Sequence, residues 1–384
     1  MSAIQAMKSL RQIIMSRVTY WIAFRKYGKK LNASLRDHQN DWSTVFGDLE
    51  KNTVLTEEQR KQVLKLWGPR YIGSTKFTYQ FHEFYTQATG NFDPHYIPDD
   101  LYVNHIDAWF NDRERARVLD NKCLYAKLFP EAKQPVTVVY RMNGTWLDAG
   151  YNSIRIDKVT ELLNCEKEVV VKVATMLGGG HGVSFFSGHD IAKRVLEQLD
   201  TDTRDYVVQR TVVQHPVLAS LNPDSVNSIR HISFLENGKV TVYSSILRMG
   251  INHSRVDNAS SGGITCGIQC DGRLKPVAFA ISGKKYEKHP SSGVPFDTIT
   301  VPSFDKSLNL IKRLHQSLPL FRLLSWDVAI DKEGSPVLLE PNLYLGGLDF
   351  HQLNNGPLFG PDQDRILSEI NWDVPEIYYL RYLC

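Results

Sequence analysis

Met7, Leu10, Ile14, Val18 and Trp21 recur at three- and four-residue steps, and that spacing predicts an amphipathic helix near the start of the chain. Thr56-Glu57-Glu58-Gln59 is a capping-box pattern, so a second helix is expected through Val63, Leu64 and Trp67, stopped by Gly68-Pro69. The pattern stays mainly helical to about residue 128, with loops around residues 90–100. It then changes. Pro135–Tyr140, Glu168–Val173, Tyr206–Val213, Ser228–Leu235 and Val240–Leu247 are short runs rich in Val and Ile that read as strands. The last two flank Glu236-Asn237-Gly238-Lys239, and Asn-Gly between β-rich runs predicts a hairpin. Leu324–Ile330 and Val337–Glu340 predict another hairpin around Asp331-Lys332-Glu333-Gly334. Helices are expected at His189–Leu199 and Asp305–Ser317. The order is that of an α+β protein with antiparallel sheets, not a βαβ repeat.

Composition supports an ordered protein. The 384 residues are 42% hydrophobic and 23% charged, enough for a sizeable core and for about two or three domains. The formal net charge of +3 argues against a dedicated nucleic-acid binder. That small value hides an asymmetry. In residues 1–40, Lys8, Arg11, Arg17, Arg25, Lys26, Lys29, Lys30 and Arg36 face Asp37 alone. With Trp21 and Phe24, this basic helix suits either an anionic membrane surface or docking on the protein's own body with a solvated basic side. No apolar run of 18 residues predicts a membrane-spanning helix, and no secretory signal pattern is evident. Five cysteines are too few for a disulfide scaffold, and the Cys266/Cys270 spacing is not a common zinc motif. A reducing, cytoplasmic setting is the expectation, with a peripheral position at the inner membrane face open.

Three elements carry candidate chemistry. The strand Val169-Val170-Val171-Lys172 feeds Gly178-Gly179-Gly180-His181-Gly182. A lysine followed by side-chain-free backbone suits polyphosphate, although a glycine cluster is also an ordinary tight turn and matches neither a P-loop nor a dinucleotide fingerprint. In the late hairpin, Asp327 and Glu340 are acids within apolar strand sequence, and Asn342 shares a face with Glu340. Two carboxylates and an amide there suit Mg2+, or else they pair with arginines. Arg230 and Arg248 fall on neighbouring strands of the Asn-Gly hairpin, where they could hold a phosphate or carboxylate, or pair with those same acids.

In their order along the chain these features resemble the ATP-grasp superfamily. Tyr206–Val212 looks like the hinge strand that reads adenine, and Asp120-Asn121-Lys122 looks like the start of the nucleotide-binding region. Gln214-His215-Pro216 through Arg230, with Val256-Asp257-Asn258 and Gly262-Gly263, is closest to the sugar-transfer-associated ATP-grasp family and is similar to ribosomal-protein glutamate ligases. The resemblance covers roughly residues 115–360. It implies a helical region over residues 1–114 followed by two lobes gripping ATP, residues 115–208 and 209–384. It implies a carboxylate–amine ligase that forms an amide through an acyl phosphate, joining an amino acid or other amine to a sugar carboxylate in surface glycan or capsule biosynthesis. A phosphotransferase and a catalytically silent ATP-binding scaffold of a glycan-synthesis complex remain alternatives. By position, Lys122 and Lys172 would contact ATP phosphates, and Gly179, Gly180, His181 and Gly182 would cover them. Gln209, Arg210 and Val212 would meet the nucleotide at the hinge. Asp327, Glu340 and Asn342 would hold Mg2+, expected as two ions, while Arg230 and Arg248 would serve the acyl phosphate or acceptor carboxylate. Asn258 and Gly263 would shape the substrate end, with His181 and His351 as further candidates. Many relatives carry a hinge glutamate where this chain has Gln209-Arg210, which leaves the ribose contact open between Gln214 and Asp257.

Overall fold

A computed structural model describes residues 55–71, 77–175, 182–200, 202–258 and 262–372. The predicted basic helix and the residues Gly178, Gly179, Gly180 and His181 lie outside the described residues. The chain divides into two compact units. One gathers the described residues up to Trp109 and those from Phe359 onward; the other is Phe110–Leu358.

In the first unit, helix α1 (Glu57–Trp67) starts on the expected capping box, with the Thr56 hydroxyl accepting from the Gln59 N–H and the Gln59 side chain accepting from the Thr56 N–H. It buries Val63 and Trp67, and the Trp67 indole donates to Pro94 O at 2.8 Å. Helix α2 (Gln80–Thr89) ends at Gly90, whose φ of 80° closes the last turn without steric cost. The C-terminal segment returns to this unit, where the Gln363 amide donates to His95 O at 2.8 Å.

The second unit carries two sheets in which every pairing is antiparallel. The smaller contains β1 (Thr137–Met142), β2 (Thr145–Asp148), β3 (Glu168–Val173), β4 (Val183–Ser187) and β5 (Tyr206–Arg210), in the order β2-β1-β5-β3-β4. The larger contains β6 (Ser228–Glu236), β7 (Lys239–Met249), β8 (Ile264–Ile268), β9 (Leu274–Ala280), β10 (Lys285–Tyr286), β11 (Leu323–Ile330) and β12 (Pro336–Asn342), in the order β10-β9-β8-β7-β6-β11-β12. Asn237 and Gly238 take φ of 50° and 76°, as a two-residue turn of the primed kind requires, and Glu236 pairs with Lys239 across it. The strand expected at Tyr206–Val213 stops at Arg210, because the chain leaves the sheet after the Arg210 N–H meets Val136 O.

Strand alternation divides each sheet into a packed face and an open face. In β3, Val169, Val171 and Val173 pack on α3 (Ile156–Asn164) and α4 (Ile191–Leu199) with Val159, Leu163, Val195 and Leu199. In β11, Trp326 and Val328 pack against α5 (Phe304–Gln316) with Leu310, Ile311 and Leu314. Among the described residues no helix is long and apolar enough to cross a membrane.

Candidate functional site

The residues left on the open faces line a cavity of about 470 Å³. The alternation that sends three valines of β3 into the core turns Glu168, Val170 and Lys172 toward it, joined by Val183 and Phe185 of β4. From the larger sheet come Ser228, Arg248, Asp327, Leu339 and Glu340. Thr211, Val212 and Val213 supply the wall after β5, and Arg255, Val256, Asp257 and Asn258 the wall after β7.

Pairing register builds the charged row. Arg230 lies opposite Asp327, and Asp327 lies opposite Glu340, so the three share one face across β6, β11 and β12. A bulge makes Glu340 reach the cavity: Asp327 pairs with Glu340 but Val328 pairs with Leu338, leaving Leu339 as an extra residue. Lys122 arrives from outside both sheets. Its N–H donates to Ala174 O at 2.7 Å, which holds it beside the end of β3.

Most of these charges are paired. Arg230 grips Asp327 with two bonds, Nε to Oδ1 at 2.7 Å and Nη2 to Oδ2 at 2.6 Å, and Arg248 Nη1 adds a third at 2.9 Å. Burial alone would raise the Asp327 carboxyl, but the two guanidiniums hold it well below the usual range. Lys122 Nζ lies 3.0 Å from Glu340 Oε2. Burial opposes ionisation of both, yet their pairing lowers the Glu340 pKa and raises that of Lys122. The Asp257 carboxylate accepts from the Ser228 N–H at 3.0 Å and from its hydroxyl, and lies 3.8 Å from Arg248. Lys172 makes no ion pair among the described residues, and burial brings its pKa down to about 8, with Lys122 acting in the same direction against Glu340 and Asp257.

Other expected residues fall in different places. Val212 and Arg210 line the cavity, but the Arg210 side chain is held by Glu166 through two bonds of 2.8 Å. The Gln209 amide faces Pro135 O and the Thr137 hydroxyl instead, at 3.5 Å each. Asn258 lines the cavity, whereas Gly263 lies under its wall, where an added Cβ would come within 2.8 Å of Met249 O. Gly182, with φ 76°, closes back on Val173. Gln214 lines the cavity, with its side-chain amide bonded to Asn222 O, Ser225 O and Asn227. His351 is fully buried, bonded through Nδ1 to the Ser244 hydroxyl at 2.7 Å.

Sequence reasoning missed Glu168 and Arg255 of the cavity lining. The first had a signal, since Glu168 and Lys172 are four apart in one strand and must share a face. Asp120 is buried and accepts from the Tyr125 hydroxyl at 2.9 Å, and burial raises its pKa.

The sequence model of sugar-transfer associated ATP-grasp proteins matches residues 104–365. The chain belongs to the sugar-transfer associated ATP-grasp family. Among curated proteins, no sequence matches it. Solved structures similar to it include an ADP complex of N5-carboxyaminoimidazole ribonucleotide synthetase, at 13% identity and TM-score 0.37, covering 60% of this chain and 46% of that one. The biotin carboxylase domain of Hydrogenobacter thermophilus 2-oxoglutarate carboxylase is similar at 11% identity and TM-score 0.37, covering 61% of this chain and 42% of that one. D-alanyl-alanine synthetase A of Vibrio cholerae is similar at 13% identity and TM-score 0.35, covering 69% and 62%. The chain thus spans less than half the length of the first two.

The donor set of this ATP-grasp chain can be tested for the magnesium that the family implies. Mg2+ commonly takes one or two carboxylates together with substrate phosphates and waters. Glu340 fits: its side chain is 32% exposed and carries one lysine. Asn342, on the same face, could offer only its amide oxygen to a hard cation, and its side chain also bonds to Asp327 and helps hold that carboxyl ionised. Asp327 fits less well, because both its oxygens already accept from guanidinium groups. No group of three His, Cys, Asp or Glu side chains suited to a metal occurs among the described residues.

Proposed function

We propose that this ATP-grasp chain is an ATP-dependent carboxylate–amine ligase. The observation that carries the reading is Lys172, a half-buried ammonium without an ion pair among the described residues, facing a cavity beside Lys122 and Glu340. A partly desolvated cation with no carboxylate of its own favours an anionic ligand. Polyphosphate is the anion that membership of an ATP-grasp family supplies.

In the proposed reaction, a carboxylate oxygen attacks the γ-phosphorus, the bond to the bridging oxygen breaks, and ADP leaves. An amine nitrogen then attacks the acyl carbon, the acyl C–O bond breaks, and phosphate departs with the amine proton. Lys122 and Lys172 offset charge on the transferring phosphoryl group. Arg248 lines the cavity and meets the acyl phosphate, and Arg230 positions it through their shared partner Asp327. Mg2+ would be held by Glu340 and Asn342 and supplies further charge neutralisation at the phosphates. A sugar carboxylate as acceptor is supported by the family's association with sugar transfer.

Release of ADP from ATP, with sugar acids crossed against amino acids, tests the reading. Turnover that needs both an acid and an amine is expected. ADP formed with a single hydroxyl-bearing substrate would instead assign a phosphotransferase, and ATP binding without turnover on any pair a scaffold.

A further inference from the structure

Three alternate residues of one segment reach three walls of the cavity. His253 Nδ1 lies 2.8 Å from Asp224 Oδ2, Arg255 Nη1 lies 2.8 Å from Glu168 Oε1, and Asp257 accepts from Ser228. Asp224, Glu168, Ser228, Arg255 and Asp257 all line the cavity. The segment is fixed at its base. An added Cβ on Gly250 would meet Val256 O at 2.6 Å, so only glycine permits this close return of the chain. Asn252 and His253 hold φ of 55° and 60°, a left-handed turn that costs energy in non-glycine residues and persists where surrounding contacts fix it.

The middle contact differs from an ordinary surface ion pair. Glu168 uses both oxygens, one on Arg255 and one on the Thr211 hydroxyl at 2.9 Å, just after β5. The Arg255 guanidinium also lies 4.3 Å from the centroid of the Phe185 ring. Residues of β3, β4 and the segments after β5 and β7 are therefore tied together across one cavity wall.

We propose that residues His253–Asp257 form a strap across the nucleotide cavity, and that Arg255, acting through Glu168 and Phe185, sets how long the nucleotide stays bound. This rests on the ATP reading above. Arg255 is a positioning residue whose effect belongs to ligand release. Its side chain is 44% exposed, so salt reaches the pair and weakens it.

The test is the dissociation rate of a fluorescently labelled ATP, chased with excess unlabelled ATP and followed by stopped flow. Arg255→Ala and Glu168→Gln should each speed release by about three- to tenfold. The two together should add little to either alone. Added NaCl should speed release from the wild type more than from Arg255→Ala. The paired reversal Arg255→Glu with Glu168→Arg should recover slow release that each reversal alone loses. Wild-type binding with unchanged release in the variants, or single effects that multiply in the double variant, would overturn the strap while leaving the ATP reading intact. A wild type that binds no ATP overturns that reading, and the strap's role falls with it.

Discussion

Lys172 concentrates the conflict between folding and function in one side chain. Its pKa stands at about 8 in the folded chain against the ordinary 10.5. The folded state therefore binds fewer protons than the unfolded state between those values, and stability rises with pH across that window. Below about pH 8 the full cost of burying the ammonium is present. Lys172→Met should accordingly stabilise the fold by about 1–3 kcal/mol at neutral pH while weakening ATP binding by about 1.5–3 kcal/mol. Urea denaturation and calorimetric titration check the two halves. A destabilised variant with unchanged ATP affinity would remove Lys172 from the site. In the wild type, ATP affinity should fall as pH rises above 8, by up to about tenfold per unit, because binding then requires uptake of a proton.

At the scale of strands, Asp327 ties β6, β7 and β11 through its two arginines, while Glu340 on β12 opens to the cavity. Asp327→Asn leaves two guanidiniums buried against a neutral amide and should cost about 3–5 kcal/mol in urea denaturation. Glu340→Gln, partly exposed and paired with one lysine, should cost under about 1 kcal/mol. Equal losses would mean that Asp327 does not anchor the sheet. Much at this scale was legible from sequence. The capping box, the Asn237-Gly238 turn and β3 follow from local chemistry, and the structure places them where the pattern does. The Asn143-Gly144 turn between β1 and β2 carries the same signal and was there to be read. The bulge at Leu339 was not, because register against β11 is a tertiary property that no local pattern encodes. The sequence left Asp327 open between metal binding and pairing with arginines, and the choice of arginine met the same limit. Its partner Arg230 is 97 residues away, and only strand order brings them together.

For the whole molecule, a net charge of +3 conceals a cavity in which, among the described residues, each lining cation except Lys172 has a carboxylate at hand. The reading also explains why no nucleophile–base pair is needed, since positioning and charge neutralisation carry phosphoryl transfer. The family match covers residues 104–365, so the basic start of the chain lies outside it. The acyl-phosphate route makes one demand that the alternatives do not share. With a carboxylate substrate labelled in both oxygens with ¹⁸O, and with its amine and ATP present, mass spectrometry of the released phosphate tests it directly. The ligase account predicts one ¹⁸O atom per phosphate, matched to amide formed and ADP released. Phosphate free of ¹⁸O, formed while ATP is consumed, would contradict it.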